Sequence, residues 1–193
     1  MAKIADLVQS AAGGCDDKIG GVQKMWIGRI SDLTAVTLAA TSPTGGYEIT
    51  GATLTTADLL GIYEFSDNKT AFVNETGGEG GAANDVQISV QYEGQTATKC
   101  HKLNLLKAEC ALFAFVQFKD GEIRLYGVDI TDAATSAWAK GPTVLRAKVG
   151  SQSGVGNNDY SFYSLELVGQ MKKLGYHCKT STFGEAELDA LAA

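Results

Sequence analysis

Between Asp85 and Tyr92 the chain alternates polar and apolar residues without a break. Val86, Ile88, Val90 and Tyr92 fall on one side, and Asp85, Gln87, Ser89 and Gln91 on the other. A period of two is that of a strand with one buried face, and such a face folds only against a second layer. Composition points the same way. The 193 residues include 23 glycines and 2 prolines, against usual shares of about 7% and about 5%, a balance that supplies many turns and few rigid corners. The expectation is a single-domain, mainly β (α+β) chain: a β-sandwich or barrel with one packed helix, extended loops and arms.

Other segments fit that class. Val22–Arg29 follows the pair Gly20-Gly21, residues 34–40 and 47–50 flank a turn-rich stretch, and residues 62–75 carry a bend at Asp67-Asn68. Residues 142–149 pair with 160–171 across a polar loop. Asp120-Gly121, between two apolar runs, is a strong hairpin signal. As a two-residue turn it sets Phe118 opposite Ile123, Gln117 opposite Arg124 and Val116 opposite Leu125, and groups Val116, Phe118, Ile123 and Leu125 on one face. Residues 97–109 read as the internal helix, with Cys100, Leu103, Leu106 and Cys110 on its apolar stripe. Thr182 and Glu185 resemble a capping box that opens a short acidic helix reaching Ala192.

Several chemistries are disfavoured. With 16 Lys and Arg against 22 Asp and Glu the net charge is −6, the wrong sign for a chain that grips phosphate backbones. The aromatics Phe113, Phe115, Phe118, Tyr126, Tyr160, Phe162 and Tyr163 therefore read as core and not as a nucleic-acid stacking platform. Residues 78–83 match a dinucleotide-binding glycine pattern, but a strand follows where a helix is needed, and Glu79 would face the phosphates. Cys100-His101 and His177-Cys178 cannot converge as four zinc ligands, because adjacent side chains diverge on helix and strand alike. Cys15, Cys100, Cys110 and Cys178 show no disulfide spacing and read as free thiols of a reducing compartment. Asp6 interrupts any signal-peptide core, and the apolar run of residues 110–116 is far short of the ~20 residues of a membrane helix. No catalytic residue, cofactor or metal is expected.

From Ile62 to about Gly169 the order of elements resembles the major tail or tail-tube structural proteins of bacteriophages, in particular a group found in phages of Bacteroidetes hosts. It is similar in the same way to type VI secretion tube proteins. The order runs from Tyr63-Glu64-Phe65 and residues 70–75 through the alternating strand ending at Tyr92, then the helix with Leu103, Leu105 and Leu106. Phe113-Ala114-Phe115-Val116, the Asp120-Gly121 hairpin with Tyr126-Gly127, and residues 162–167 complete it.

That resemblance implies a virion structural protein, assembled in the host bacterial cytoplasm and localised to the tail. Its partners would be copies of itself in hexameric rings stacked into a tube, other tail proteins, and double-stranded DNA passing through an acidic lumen without specific binding. Assembly arms are expected at about residues 1–21, 67–84 and 180–193, all within one domain of residues 1–193. The expected subunit interface comprises Phe72, Val73, Gly77, Gly78, Gly80, Gly81, Leu188 and Leu191. Within a virion the alternative is a head–tail connector, tail-terminator or capsid-decorating protein. Outside it, the alternative is a cytosolic ligand-binding β-barrel or small hydrolase.

Overall fold

The structure, a computed structural model, describes residues 7–8, 21–41, 46–55, 61–64, 71–78, 82–93, 95–132, 136–140, 143–152 and 161–192. Its strands are β1 (Leu7–Val8), β2 (Val22–Arg29), β3 (Leu33–Thr41), β4 (Gly46–Leu54), β5 (Gly61–Glu64), β6 (Ala71–Thr76) and β7 (Asn84–Glu93). After helix α1 (Ala97–Lys107) come β8 (Leu112–Phe118), β9 (Ile123–Tyr126), β10 (Val128–Asp132), β11 (Ala137–Lys140), β12 (Thr143–Gln152), β13 (Phe162–Met171) and β14 (Tyr176–His177). Helix α2 (Glu185–Ala192) closes the series. The fold is thus mainly β, as expected, with two packed helices among the described residues.

One sheet runs β1-β5-β2-β8-β12-β13-β7-β6, with β9 also on β8 and β14 on β9, while β3–β4 and β10–β11 form separate hairpins. The sheet curls into a half-barrel. Inside the curl Met25, Ile27, Tyr63, Val86, Ile88, Val90, Tyr92, Leu165 and Leu167 form the first core, joined by Leu103 and Leu106 of α1. The apolar face predicted for residues 86–92 is the one that points inward.

A second core lies on the opposite face of β2, β8 and β9. It gathers Trp26, Phe113, Phe115, Ile123 and Leu125 with Val36 and Ile49 of the β3–β4 hairpin and with Phe183, Leu188 and Ala192 near the C-terminus. β8 serves both cores. Leu112, Ala114 and Val116 point into the first, Phe113 and Phe115 into the second, which is why its sequence is a continuous apolar run and does not alternate. In β2 a bulge between Val22 and Lys24 resets the alternation. It turns Val22 toward the first core while Lys24 joins Trp26 on the other face.

Three local expectations need correction. The β8–β9 register is Gln117 opposite Ile123, Val116 opposite Arg124 and Phe115 opposite Leu125, one residue away from the two-residue-turn reading. The Phe118 N–H donates to the Glu122 carbonyl at 2.8 Å and the Gly121 N–H to the Phe118 carbonyl at 3.0 Å, so the loop holds three residues, with Gly121 at φ +87. A turn closed by a glycine in the left-handed region is the next commonest hairpin. The extra residue flips every partner, so Val116 and Phe118 lie on one face and Ile123 and Leu125 on the other.

The first helix also stops earlier than expected. The Thr96 side chain accepts from the Lys99 N–H, an N-cap worth about 1 kcal/mol, and the helix ends at Lys107. Leu103 and Leu106 are buried, whereas Cys110, beyond the last turn, is exposed because the helical spacing no longer governs it. The cap of α2 lies two residues later than the Thr182–Glu185 reading. The Gly184 N–H donates to Glu187 Oε2 at 2.8 Å, while Thr182 Oγ1 donates to the Lys179 carbonyl.

Candidate assembly surface

Among the described residues β6 ends the sheet path. Its neighbour within the sheet is β7, joined through six consecutive pairs from Ala71 opposite Val90 to Thr76 opposite Asp85 without a register shift. Soluble monomers blunt such an edge with lysine, proline or a bulge; the sequence AFVNET has none of these. Phe72 stands outward at 53% exposure, and Gly77 and Gly78 beyond the strand are exposed too. Val73, of opposite pleat, instead packs against the first core. Gly80 and Gly81 lie outside the described residues.

The inward side of β6 is held by Glu75. Its carboxylate accepts from Tyr126 Oη at 2.7 Å and from the Gly175 N–H at 3.0 Å, and lies 3.5 Å from Arg124 Nη1. Arg124 also meets Glu122 at 3.0 Å, and Glu122 in turn pairs with His177 Nδ1. The lip of the curled sheet is thus tied to β9 and β14 by side chains where no ladder joins them. Burial, reinforced by the Glu75 carboxylate, pushes the Tyr126 phenol well above its ordinary value and keeps it a neutral donor. An inward-pointing charge on an edge strand also restrains indiscriminate pairing.

The other expected contact residues fall elsewhere. Leu188 is fully buried in the second core and Leu191 packs against it, so α2 belongs to the chain's own core. An amphipathic helix this close to an open apolar sheet face buries its stripe there first. Residues 180–192 are therefore not a free arm. In the N-terminal arm, Leu7–Val8 pairs in parallel with Tyr63 and Glu64 of β5, which gives that piece of backbone a place in the sheet. The central arm, residues 67–84, contains the edge strand β6, and β7 begins at its last residue, Asn84.

The cysteines and histidines take unlike positions. Cys178 is buried and its neighbour His177 faces solvent, while Cys100 is half-buried on α1. Among the described residues no three His, Cys, Asp or Glu are grouped to hold a metal ion. Burial pushes the Cys178 thiol far up, so it does not ionise near neutral pH. Iodoacetamide is accordingly expected to alkylate Cys110 in the folded protein and Cys178 only after denaturation, read by peptide mass spectrometry. Equal labelling of the two in the native state would refute the burial assignment.

At the glycine pattern, a side chain on Gly78 would meet the carbonyl oxygens of Ala82 and Ala83 at 2.7 and 2.5 Å. These are acceptors, whereas a phosphate requires converging N–H donors. No helix among the described residues is long and apolar enough to cross a membrane. Compared with known proteins, the chain matches no family model, no curated protein and no solved structure.

Proposed function

We propose that the chain is a virion structural protein, the subunit of a phage tail tube built of stacked hexameric rings that conduct DNA passively. The observation that carries this reading is β6: an edge strand of regular register with no lysine, proline or bulge, and with Phe72 half in solvent. With the inward-turned Glu75 as its restraint, such an edge stays open to a correctly placed neighbour, which a ring supplies. The resemblance in the order of elements from Ile62 to about Gly169 supports a tail tube as the kind of assembly. With an acidic balance of −6, the assembled wall would repel DNA phosphates and let the duplex slide.

Negative-stain electron microscopy of the purified protein is expected to show rings or tubes about ten nanometres across, the size that a ring of domains this large gives around a lumen. Phe72→Asp removes the exposed apolar contact without entering either core. It should abolish these assemblies while leaving the far-ultraviolet spectrum and the melting temperature of the monomer essentially as in the parent. Wild-type protein that stays monomeric over a wide concentration range, or tubes formed by Phe72→Asp as readily as by the parent, would overturn the reading.

A further inference from the structure

The two helices carry opposite charge. Helix α1, ATKCHKLNLLK, has Lys99, Lys102 and Lys107 and no carboxylate, and Glu109 just beyond it is engaged by Arg29 Nη2 at 2.6 Å. Helix α2, EAELDALA, has Glu185, Glu187 and Asp189 and no cation. Each also leaves one side uncovered. Leu103 and Leu106 anchor α1 in the first core, which turns His101, Asn104 and Leu105 outward, and Leu105 is 47% exposed. At about 100° per residue, Lys102 flanks that strip on one side and Lys107 on the other.

Leu188 and Ala192 anchor α2 in the second core, so Ala186, Glu187 and Ala190 face solvent. Glu187 edges this low strip on one side, Glu185 and Asp189 on the other. The latter two reach Lys24 at 2.9 and 2.7 Å, yet their side chains stay 47% and 39% exposed. A protruding leucine between cations thus answers a strip of small side chains between anions. Within one copy the two do not meet. The first and second cores lie on opposite faces of β2 and β8, so the exposed sides of the helices turn away from each other across that wall.

We propose that α1 of one copy docks on α2 of a second copy, with Leu105 seated over Ala186 and Ala190 and the flanking lysines against the flanking carboxylates. The partner, a second copy, is taken from the self-assembly reading above, and the contact is one that β6 does not provide. Because two different surfaces meet, it is head-to-tail, and each added subunit presents a fresh surface for the next. Complementary charge fixes partner and register more than it adds affinity. It also works against the alternatives: α1 on α1 would set lysine against lysine, and α2 on α2 carboxylate against carboxylate.

The test is carbodiimide cross-linking, which joins a lysine amine to a carboxylate in contact, on an equal mixture of unlabelled and heavy-nitrogen-labelled full chains, read by mass spectrometry. Links between the two isotopic forms are expected from Lys102 or Lys107 to Glu185, Glu187 or Asp189. Their yield should fall about fivefold or more between ~0.05 and ~0.5 M sodium chloride, as screening shortens the reach of the charges. Leu105→Glu/Lys107→Glu changes two exposed side chains outside both cores, and should remove the links while leaving the melting temperature essentially as in the parent. Mixing that variant with Glu187→Lys/Ala190→Lys should restore links between the substituted positions of the two chains. Absence of mixed-isotope links between α1 and α2 in the wild type would overturn the proposal. So would links that persist at wild-type yield in Leu105→Glu/Lys107→Glu, and if the α2 variant does not fold, that result and the salt dependence decide. Rings or tubes without these links would reject the contact and leave the tube reading standing; links without rings or tubes would do the reverse.

Discussion

Gly127→Ala is expected to destabilise the protein by about 3 kcal/mol, measured by urea denaturation. Gly127 has φ +93, in the left-handed region, where a side chain costs roughly 1–2 kcal/mol. The added methyl would also lie 2.7 Å from the Leu112 carbonyl oxygen, 3.0 Å from Phe113 Cα and 3.1 Å from Leu145 Cγ. Two of these are backbone atoms of β8, a strand packed on both faces, and relief by shifting it adds an overpacking cost of about 1–3 kcal/mol. Gly121→Ala separates the two contributions. Gly121 has nearly the same φ of +87, yet nothing lies within 4 Å of its added methyl, so its cost should be near 1 kcal/mol. Equal losses at the two positions would show that the crowding against β8 does not matter.

Phe115→Ala should cost about 3–5 kcal/mol, the range for removing a fully buried aromatic. The ring lies in the second core with centroids 5.9 Å from Phe113 at 87° and 5.6 Å from Phe183 at 75°. Both are edge-to-face geometries that add to area burial. Phe183 lies two residues before the start of α2, so the cavity would open between the sheet and the C-terminal segment. A lower urea midpoint at unchanged slope is the expected signature; a loss below about 1 kcal/mol would mean that the segment collapses into the space.

Much of the β architecture was legible from periodicity. Val22–Arg29 is a strand with the expected bounds, the alternating residues 85–92 pair with β13 through a ten-residue register, and β12 and β13 are neighbours as expected. What escaped was decided by single residues whose meaning is tertiary. Whether Asp120-Gly121 sits in a two- or three-residue loop reverses the faces of both flanking strands, and the local sequence is compatible with either. The acidic tail helix has the stripe of a docking element, but whether it docks on its own chain depends on the open face of β2 and β8, assembled from segments more than 80 residues apart.

The candidate surface was half visible. Phe72 could be singled out, whereas Glu75 could not be assigned, because its partners Tyr126, Arg124 and Gly175 come from elsewhere in the chain. The available signal was a lone carboxylate in an otherwise neutral strand, and Lys24, directly before the apolar run Met25-Trp26-Ile27 of β2, is a second signal of that kind.

The double-faced strand β8 has a consequence for how the chain leaves the ribosome. Its first partner, β2, ends at Arg29 and pairs with residues that begin at Leu112. At bacterial elongation rates that interval takes on the order of ten seconds. Throughout it Met25, Trp26 and Ile27 have no strand on their β8 side, and the outer core must wait longer still, for Phe183 and Leu188. Non-local pairing of this kind is slow and leaves apolar strands exposed to other chains. Yield in a heterologous host should therefore respond to growth temperature and to trigger-factor-like holdases more than the stability of the finished protein would suggest.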